Sequence, residues 1–152
     1  MFNVLVSAPY FQLEFENYKS ELISKGINCT LPHVVERLEE TELLNIIGGF
    51  DGMLCGDDRI TAKVLDAAQR LQVIVKWGTG TDSIDKEYAR TKGIPVYNTP
   101  NAFTEPVSDS AIALMLSFAR QLIPSDRILK QGGWGKKLGF CLCEKKLGII
   151  GV

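Results

Sequence analysis

From its first residue the chain alternates short apolar runs with amphipathic stretches. Phe2 to Ser7 reads as a strand, and Phe15 to Lys25 carries Phe15, Tyr18, Leu22 and Ile23 at helical spacing before Gly26 stops it. Ile27 to Leu31 predicts a second strand and Thr41 to Ile47 a short second helix ended by Gly48 and Gly49. Phe50 to Cys55 predicts a third strand. Thr61 is placed to cap a helix with Val64, Leu65, Ala68 and Leu71 on one face, and Ile60 stands where a hydrophobic staple residue would. "QVIVKW", Gln72 to Trp77, has the continuous apolar character of a strand buried on both faces. Asp85 to Lys92 predicts a further helix ended by Gly93, and Ile94 to Tyr97 the fifth strand. Strands and helices in strict alternation predict a parallel sheet with right-handed crossovers.

After Tyr97 the rhythm changes. "NTPNAFTEP" has the turn chemistry of a boundary, so the first domain is expected to end near Asn98. A helix from about Glu105 to Ile123 follows. Val107, Ala111, Leu114, Phe118 and Leu122 form one apolar stripe, and Ile112, Met115, Leu116, Ala119 and Ile123 widen it to most of the circumference. Such a helix calls for neighbours on more than one side, and left uncovered it is expected to drive self-association. Pro124 is expected to close it, and a turn around "QGGWG" leads to a last strand, Leu147 to Val152.

Composition narrows the class. With 152 residues, 45% hydrophobic, 23% charged and a formal net charge of -1, the chain reads as an ordinary globular protein with one full core, and nothing suggests nucleic acid. The late cluster Arg127, Lys130, Lys136, Lys137, Lys145 and Lys146 fits a solvated face better than a phosphate patch, because no aromatic interleaving accompanies it. The start lacks the pattern of a signal peptide, and no apolar run is long enough to span a bilayer. A cytoplasmic protein with no membrane partner is expected. Cys29, Cys55, Cys141 and Cys143 match neither a zinc spacing nor a disulfide framework, so reduced thiols and no metal are expected.

In an open parallel sheet, ligands sit beyond the carboxyl ends of the strands where the strand order reverses. Three loops qualify: Ala8 to Gln12, Gly56 to Arg59, and "GTGTDS", Gly78 to Ser83. Gly78 and Gly80 let backbone N–H groups approach a carboxylate or phosphate, or serve only a tight strand-to-helix turn. "GDDR" offers two carboxylates and a guanidinium to a ligand, or an exposed ion pair in a turn, the second being the commoner use. His33 follows Leu31-Pro32 in a loop without a matching nucleophile and reads as a surface residue rather than a general base. Two uses of this layout fail on inspection: "SAPYF" is no flavin phosphate loop, and Ala8, Pro9 and Cys55 stand where a phosphorelay receiver needs acids.

The stretch "VIVKWGTGTDSIDKEYARTKGIPVYNTPNAFTEPVSDSAIALMLSFAR" resembles the D-isomer-specific 2-hydroxyacid dehydrogenase family, in particular its phosphoglycerate-dehydrogenase-like branch. The resemblance rests on the turn Gly78, Thr79, Gly80, Asp82, on "KGIPVYNTP", on "VSDSAIALML", on the tryptophan of "GGW" and on "KKLGIIGV". It covers residues 50 to 152, whereas the first 49 agree only in pattern.

The resemblance implies an α/β architecture. Residues 1–98 would be a flavodoxin-like, parallel five-stranded substrate lobe, 99–123 the crossover segment, and 124–152 a linker with the first strand of a truncated Rossmann NAD domain. Gly151 would be the first glycine of the dinucleotide fingerprint. The implied activity is hydride transfer between nicotinamide and C2 of a small D-2-hydroxy or 2-oxo acid. The family's arginine, glutamate and histidine are expected beyond Val152, so no catalytic residue is assigned and the 152 residues alone are expected to be inactive.

By the same resemblance Gly56, Asp57, Lys76, Gly78, Thr79 and Gly80 would bind substrate, and Thr79, Ser108, Asp109 and Gly151 would face the cofactor, NAD, with NADP a choice made beyond Val152. Some relatives carry arginine where Gly56 and Lys76 stand, which argues against a phosphorylated substrate. A homodimer is implied. The alternative function is a non-catalytic interaction module that self-associates or binds a partner through the crossover helix.

Overall fold

Alternating strands and helices produce a sheet in which every neighbour runs parallel. A computed structural model describes residues 1–150, and the chain divides into two compact units, Met1–Ala102 and Phe103–Val152. The first unit contains β1 (Phe2–Val6), α1 (Pro9–Ser24), β2 (Ile27–Thr30), α2 (Glu40–Ile46), β3 (Gly52–Cys55), α3 (Ala62–Ala67), β4 (Val73–Lys76), α4 (Lys86–Thr91) and β5 (Val96–Tyr97). The strands lie in the order β2-β1-β3-β4-β5, all parallel. β2 and β3 flank β1 on opposite sides, so the strand order reverses at β1 and a crevice opens at the carboxyl ends of β1 and β3.

The period of two along each strand sorts the core. Leu5, Met53 and Ile74 stand in register across β1, β3 and β4, all fully buried, and pack against Leu43 and Ile47 and against Val64 and Leu65 of α3. Burying each such side chain contributes about 1.5–3 kcal/mol. The opposite row, Val6, Leu54 and Val75, faces the other way, and Val6 packs with Phe11 of α1. One step further along the first face, Ser7, Cys55 and Lys76 succeed the apolar row, all buried. The covered face therefore turns polar where the crevice begins.

Helix starts follow local chemistry. Thr61 Oγ1 accepts from Val64 N–H at 3.5 Å and caps α3 as expected, and Asp85 Oδ1 accepts from Tyr88 N–H at 3.0 Å to cap α4. Helix α1 starts at Pro9, six positions before the apolar spacing becomes visible, because proline at the first helical position presets φ and has no N–H to leave unpaired. Gly26, at φ 75°, ends it in the left-handed region that favours glycine.

In the second unit the single helix expected over residues 105–123 is two: α5 (Thr104–Ala119) and α6 (Leu122–Lys130). Gln121 adopts the left-handed conformation, φ 54° and ψ 39°, and breaks the run. Pro124, expected to close the helix, instead lies in the first turn of α6, where its missing N–H leaves no intrahelical bond unmade. The apolar circumference of α5 is largely exposed, Leu114 at 68% and Phe118 at 71%, and Ala119 is the buried residue of the helix. Phe140 N–H donates to Ala119 C=O at 2.9 Å, and the rings of Phe118 and Phe140 meet edge to face. Leu147 to Ile150 join no ladder, since a strand needs a neighbour and the second unit has none among the described residues. Gly151 and Val152, the rest of that expected strand, lie outside the described residues.

Candidate functional site

The loops that leave β1, β3 and β4 meet at the carboxyl end of the sheet. Ser7 and Ala8 N–H groups both reach Leu54 C=O, and Trp77 N–H donates to Cys55 C=O at 2.8 Å, which carries the sheet pairing one residue into the loops. The loops after β3 and β4 are clasped by a parallel bridge between Ile60 and Ile84, with Ile60 N–H on Ser83 C=O at 3.0 Å and Asp85 N–H on Ile60 C=O at 2.9 Å.

Inside that frame lie two charges. Lys76, at the end of β4, is buried and donates from Nζ to Gly56 C=O at 2.6 Å and to the Asp57 carboxylate. Asp57 itself is 73% exposed at its side chain, so the ammonium is shielded while its counterion stands in solvent. Gly78 covers the lysine: at φ 153°, a backbone region side chains rarely adopt, a Cβ there would come within 3.2 Å of Lys76 Cε. Glycine is required so that the lysine can lie under the turn.

Asp58 is the second charge, and it is fully buried. Its Oδ2 accepts from Ser7 Oγ at 2.7 Å and from Gly56 N–H at 2.9 Å, and its Oδ1 accepts from Leu38 N–H at 2.6 Å. Burial pushes its carboxyl above the ordinary carboxylate range, against the pull of those donors. The "GDDR" stretch therefore matches neither sequence reading: Asp57 pairs with a buried lysine, Asp58 is internal, and Arg59 lies 3.9 Å from Glu39. Burial, reinforced by Asp58, pushes the neighbouring Cys55 thiol up to about 12.

The glycine turn is fixed from below. Thr99 N–H donates to Gly78 C=O at 3.0 Å, and Asn98 Nδ2 donates to Thr79 C=O at 2.7 Å. Thr79 and Gly80 are exposed, and no acceptor among the described residues meets their N–H groups. Two unpaired backbone donors in an exposed turn can receive a small carboxylate. Asp82 is exposed, and His33 is exposed on its loop. No group of metal-ligating side chains forms among the described residues, and none of their helices is long and apolar enough to cross a membrane.

Of the sequence-derived site residues, the fold brings Gly56, Asp57, Lys76, Gly78, Thr79 and Gly80 to one crevice. Ser108 and Asp109 belong to the second unit, where the Ser108 hydroxyl bonds back to the Thr104 and Glu105 carbonyls at 2.9 and 2.8 Å. Gly151 lies outside the described residues. Sequence reasoning did not single out Ser7 or Asn98, and it read Asp58 as one of the two carboxylates of "GDDR" without foreseeing its burial. The described residues do not fit a dinucleotide phosphate cradle: the glycine turn leads to α4, a helix of six residues whose start carries Asp85 and Glu87, acids that repel phosphate.

An open, all-parallel five-stranded sheet whose strand order reverses at β1 defines a flavodoxin-like lobe. Residues 4–137 match the model of the D-isomer specific 2-hydroxyacid dehydrogenase catalytic domain, and the chain belongs to that family. It is 40% identical to the hydroxypyruvate reductase of Thermotoga maritima over 119 residues, covering 76% of this chain and 39% of that protein. Against human D-3-phosphoglycerate dehydrogenase the identity is 36% over 153 residues, covering 92% of this chain and 29% of that one. The chain thus spans well under half the length of these relatives. The crystal structure of the TT0316 protein from Thermus thermophilus aligns with a TM-score of 0.75 at 30% identity, over 91% of this chain and 45% of that one. The D-lactate dehydrogenase of Aquifex aeolicus, solved with NAD and lactic acid, shares the fold with a TM-score of 0.73 at 21% identity, over 90% of this chain and 39% of that one.

Proposed function

We propose that this chain is the substrate-binding lobe and crossover segment of an NAD-dependent D-2-hydroxyacid dehydrogenase, with domain limits at residues 1–98, 99–123 and 124–152. The observation that carries the reading is the pair of unengaged N–H groups on Thr79 and Gly80 in the exposed turn that follows the buried Lys76. In this reading Thr79 and Gly80 hold the carboxylate of a small 2-hydroxy or 2-oxo acid, Lys76 and Gly78 flank it, and Gly56 and Asp57 form the opposite wall. Thr79 also stands near the nicotinamide end of the cofactor in this reading. Nicotinamide, when bound, supplies or accepts hydride at C2. The residues of this chain bind and orient the acid, and the proton-transfer and arginine groups are expected beyond Val152, so the 152 residues alone should show no NADH-linked turnover.

Glyoxylate and hydroxypyruvate, the substrates named by relatives, are the probes of choice. Titrated into isotopically labelled protein, either should move the amide resonances of Thr79 and Gly80 more than any others. If those resonances stay still while the protein is folded, the substrate-lobe reading fails. The setting proposed is cytoplasmic.

A second reading has its own observation. Leu114, Phe118 and Val107 of α5 are exposed, as a helix awaiting a partner would leave them. Here α5 binds a second copy, as a dimer or as a non-catalytic interaction module. Analytical ultracentrifugation should find the chain associated at working concentration, and a strict monomer counts against both forms of the idea.

A further inference from the structure

We infer that Asp58 is a positioning residue of the crevice, the internal carboxylate that sets where Lys76 and the Gly56–Asp57 wall stand. It has no contact with solvent. What it touches are three segments far apart in sequence: the end of β1 through Ser7 Oγ, the segment before α2 through Leu38 N–H, and the loop after β3 through Gly56 N–H.

The link to Lys76 runs through a single residue. Gly56 gives its N–H to Asp58 and its C=O to Lys76 Nζ, at 2.9 and 2.6 Å. The carboxylate therefore fixes the peptide plane on the amino side of Gly56, and Lys76 bonds the plane on its carboxyl side, so the two charges meet through one residue. Asp57, the exposed partner of Lys76, sits between Gly56 and Asp58 in the chain and is held by the same anchor. Asn cannot replace Asp58. Two backbone donors approach opposite oxygens of its carboxylate, and an amide has one acceptor oxygen, so either Leu38 N–H or Gly56 N–H would meet an NH2 group. Gly56 is also closely packed, since a Cβ there would stand 3.2 Å from Pro9 Cδ.

The functional meaning of this placement rests on the substrate reading of the crevice, but the placement itself is read without ligand. The experiment compares Asp58→Asn with Asp51→Asn in the 152-residue chain. Asp51 is a second buried acid, at the amino end of the sheet, where it accepts from Asn3 N–H and pairs with Arg70, and it reports a purely structural loss. In labelled protein, Asp58→Asn should shift the Lys76 side-chain Cε and Nζ resonances and speed amide exchange at Gly56 or Leu38 by about tenfold or more. Asp51→Asn should leave Lys76 where it is.

If Asp58→Asn is folded and the Lys76 signals are unmoved, or if both variants move them alike, the inference is overturned. Should Asp58→Asn not fold, Ser7→Ala removes one of the donors and should move Lys76 in the same direction by less, and an unmoved Lys76 there overturns it too. Glyoxylate titration keeps the two ideas apart. A wild-type chain whose Thr79 and Gly80 amides ignore glyoxylate refutes the substrate reading, while the Lys76 shift on Asp58→Asn still stands or falls by itself.

Discussion

The two ends of the sheet each bury an aspartate, and they treat it in opposite ways. At the amino end Asp51 has a cation: Arg70 lies 2.8 Å away, and Asn3 N–H donates at 2.8 Å. Asn3 N–H, with Arg70 second, holds the Asp51 carboxyl below its ordinary range. At the carboxyl end Asp58 is held by neutral donors alone, and burial wins over them. The cation of that end, Lys76, is turned instead to Gly56 and to an exposed acid. One end satisfies its charge for stability. The other gives its buried carboxylate and its buried lysine separate partners, which costs stability.

That contrast can be broken at its strongest point first. Asp58→Ala strands the N–H groups of Leu38 and Gly56 in the interior and should lower unfolding stability by about 2–4 kcal/mol. An unchanged urea midpoint would mean those donors find water or other partners. Gly78→Ala comes next. Strain at φ 153° and pressure on Lys76 Cε should cost about 1–3 kcal/mol and weaken glyoxylate binding, measured by denaturation and titration on the same sample. Lys76→Met should separate stability from binding: an unfolding midpoint unchanged or higher by about 1 kcal/mol, since a buried charge has gone, with glyoxylate affinity lost. A large fall in stability would place Lys76 with the structural charges of the amino end.

The smallest effect lies in the acid limb of the stability curve, and there the two aspartates differ in sign. The Asp51 carboxyl is lowered on folding, so it adds stability above its unfolded value of about 3.9, and that is lost as pH falls through the folded value. The Asp58 carboxyl is raised, so the folded state holds its proton longer and stability declines as pH rises from the unfolded value through the folded one. Asp51→Asn should therefore flatten the loss of stability in acid, and Asp58→Asn should steepen it. Urea midpoints taken across the acid range would show equal slopes if the ends were alike.

What the sequence made legible was whatever depends on neighbours in the chain. The strand and helix rhythm of residues 1–97, the Thr61 cap and the crevice at the ends of β1, β3 and β4 all rest on patterns a few residues wide. Asp58 was not legible, because its partners Ser7 and Leu38 are 51 and 20 positions away and "GDDR" looks like a surface turn. The burial of Lys76 was hidden for the same reason, since only the fold lays Gly78 over it and Gly56 beneath. The break between α5 and α6 has no local breaker: Gln121 takes a left-handed conformation without being glycine, and Pro124 sits where a helix tolerates it. Gly78 and Gly80 stood out as loop glycines after an apolar strand and Thr79 only through the family resemblance, whereas the bond that Asn98 makes to Thr79 C=O has no local signal.

Cys55 gives the crevice end a use of another kind. Its thiol, pushed up to about 12, is almost entirely unreactive while the sheet is closed, whereas Cys141 and Cys143 stand exposed and Cys29 is half-covered. A maleimide added to the native protein would sort the four sulfurs by time, the exposed pair at once and Cys55 only when the core around it opens. The chain thus carries its own stopwatch for the opening of the sheet beneath the crevice.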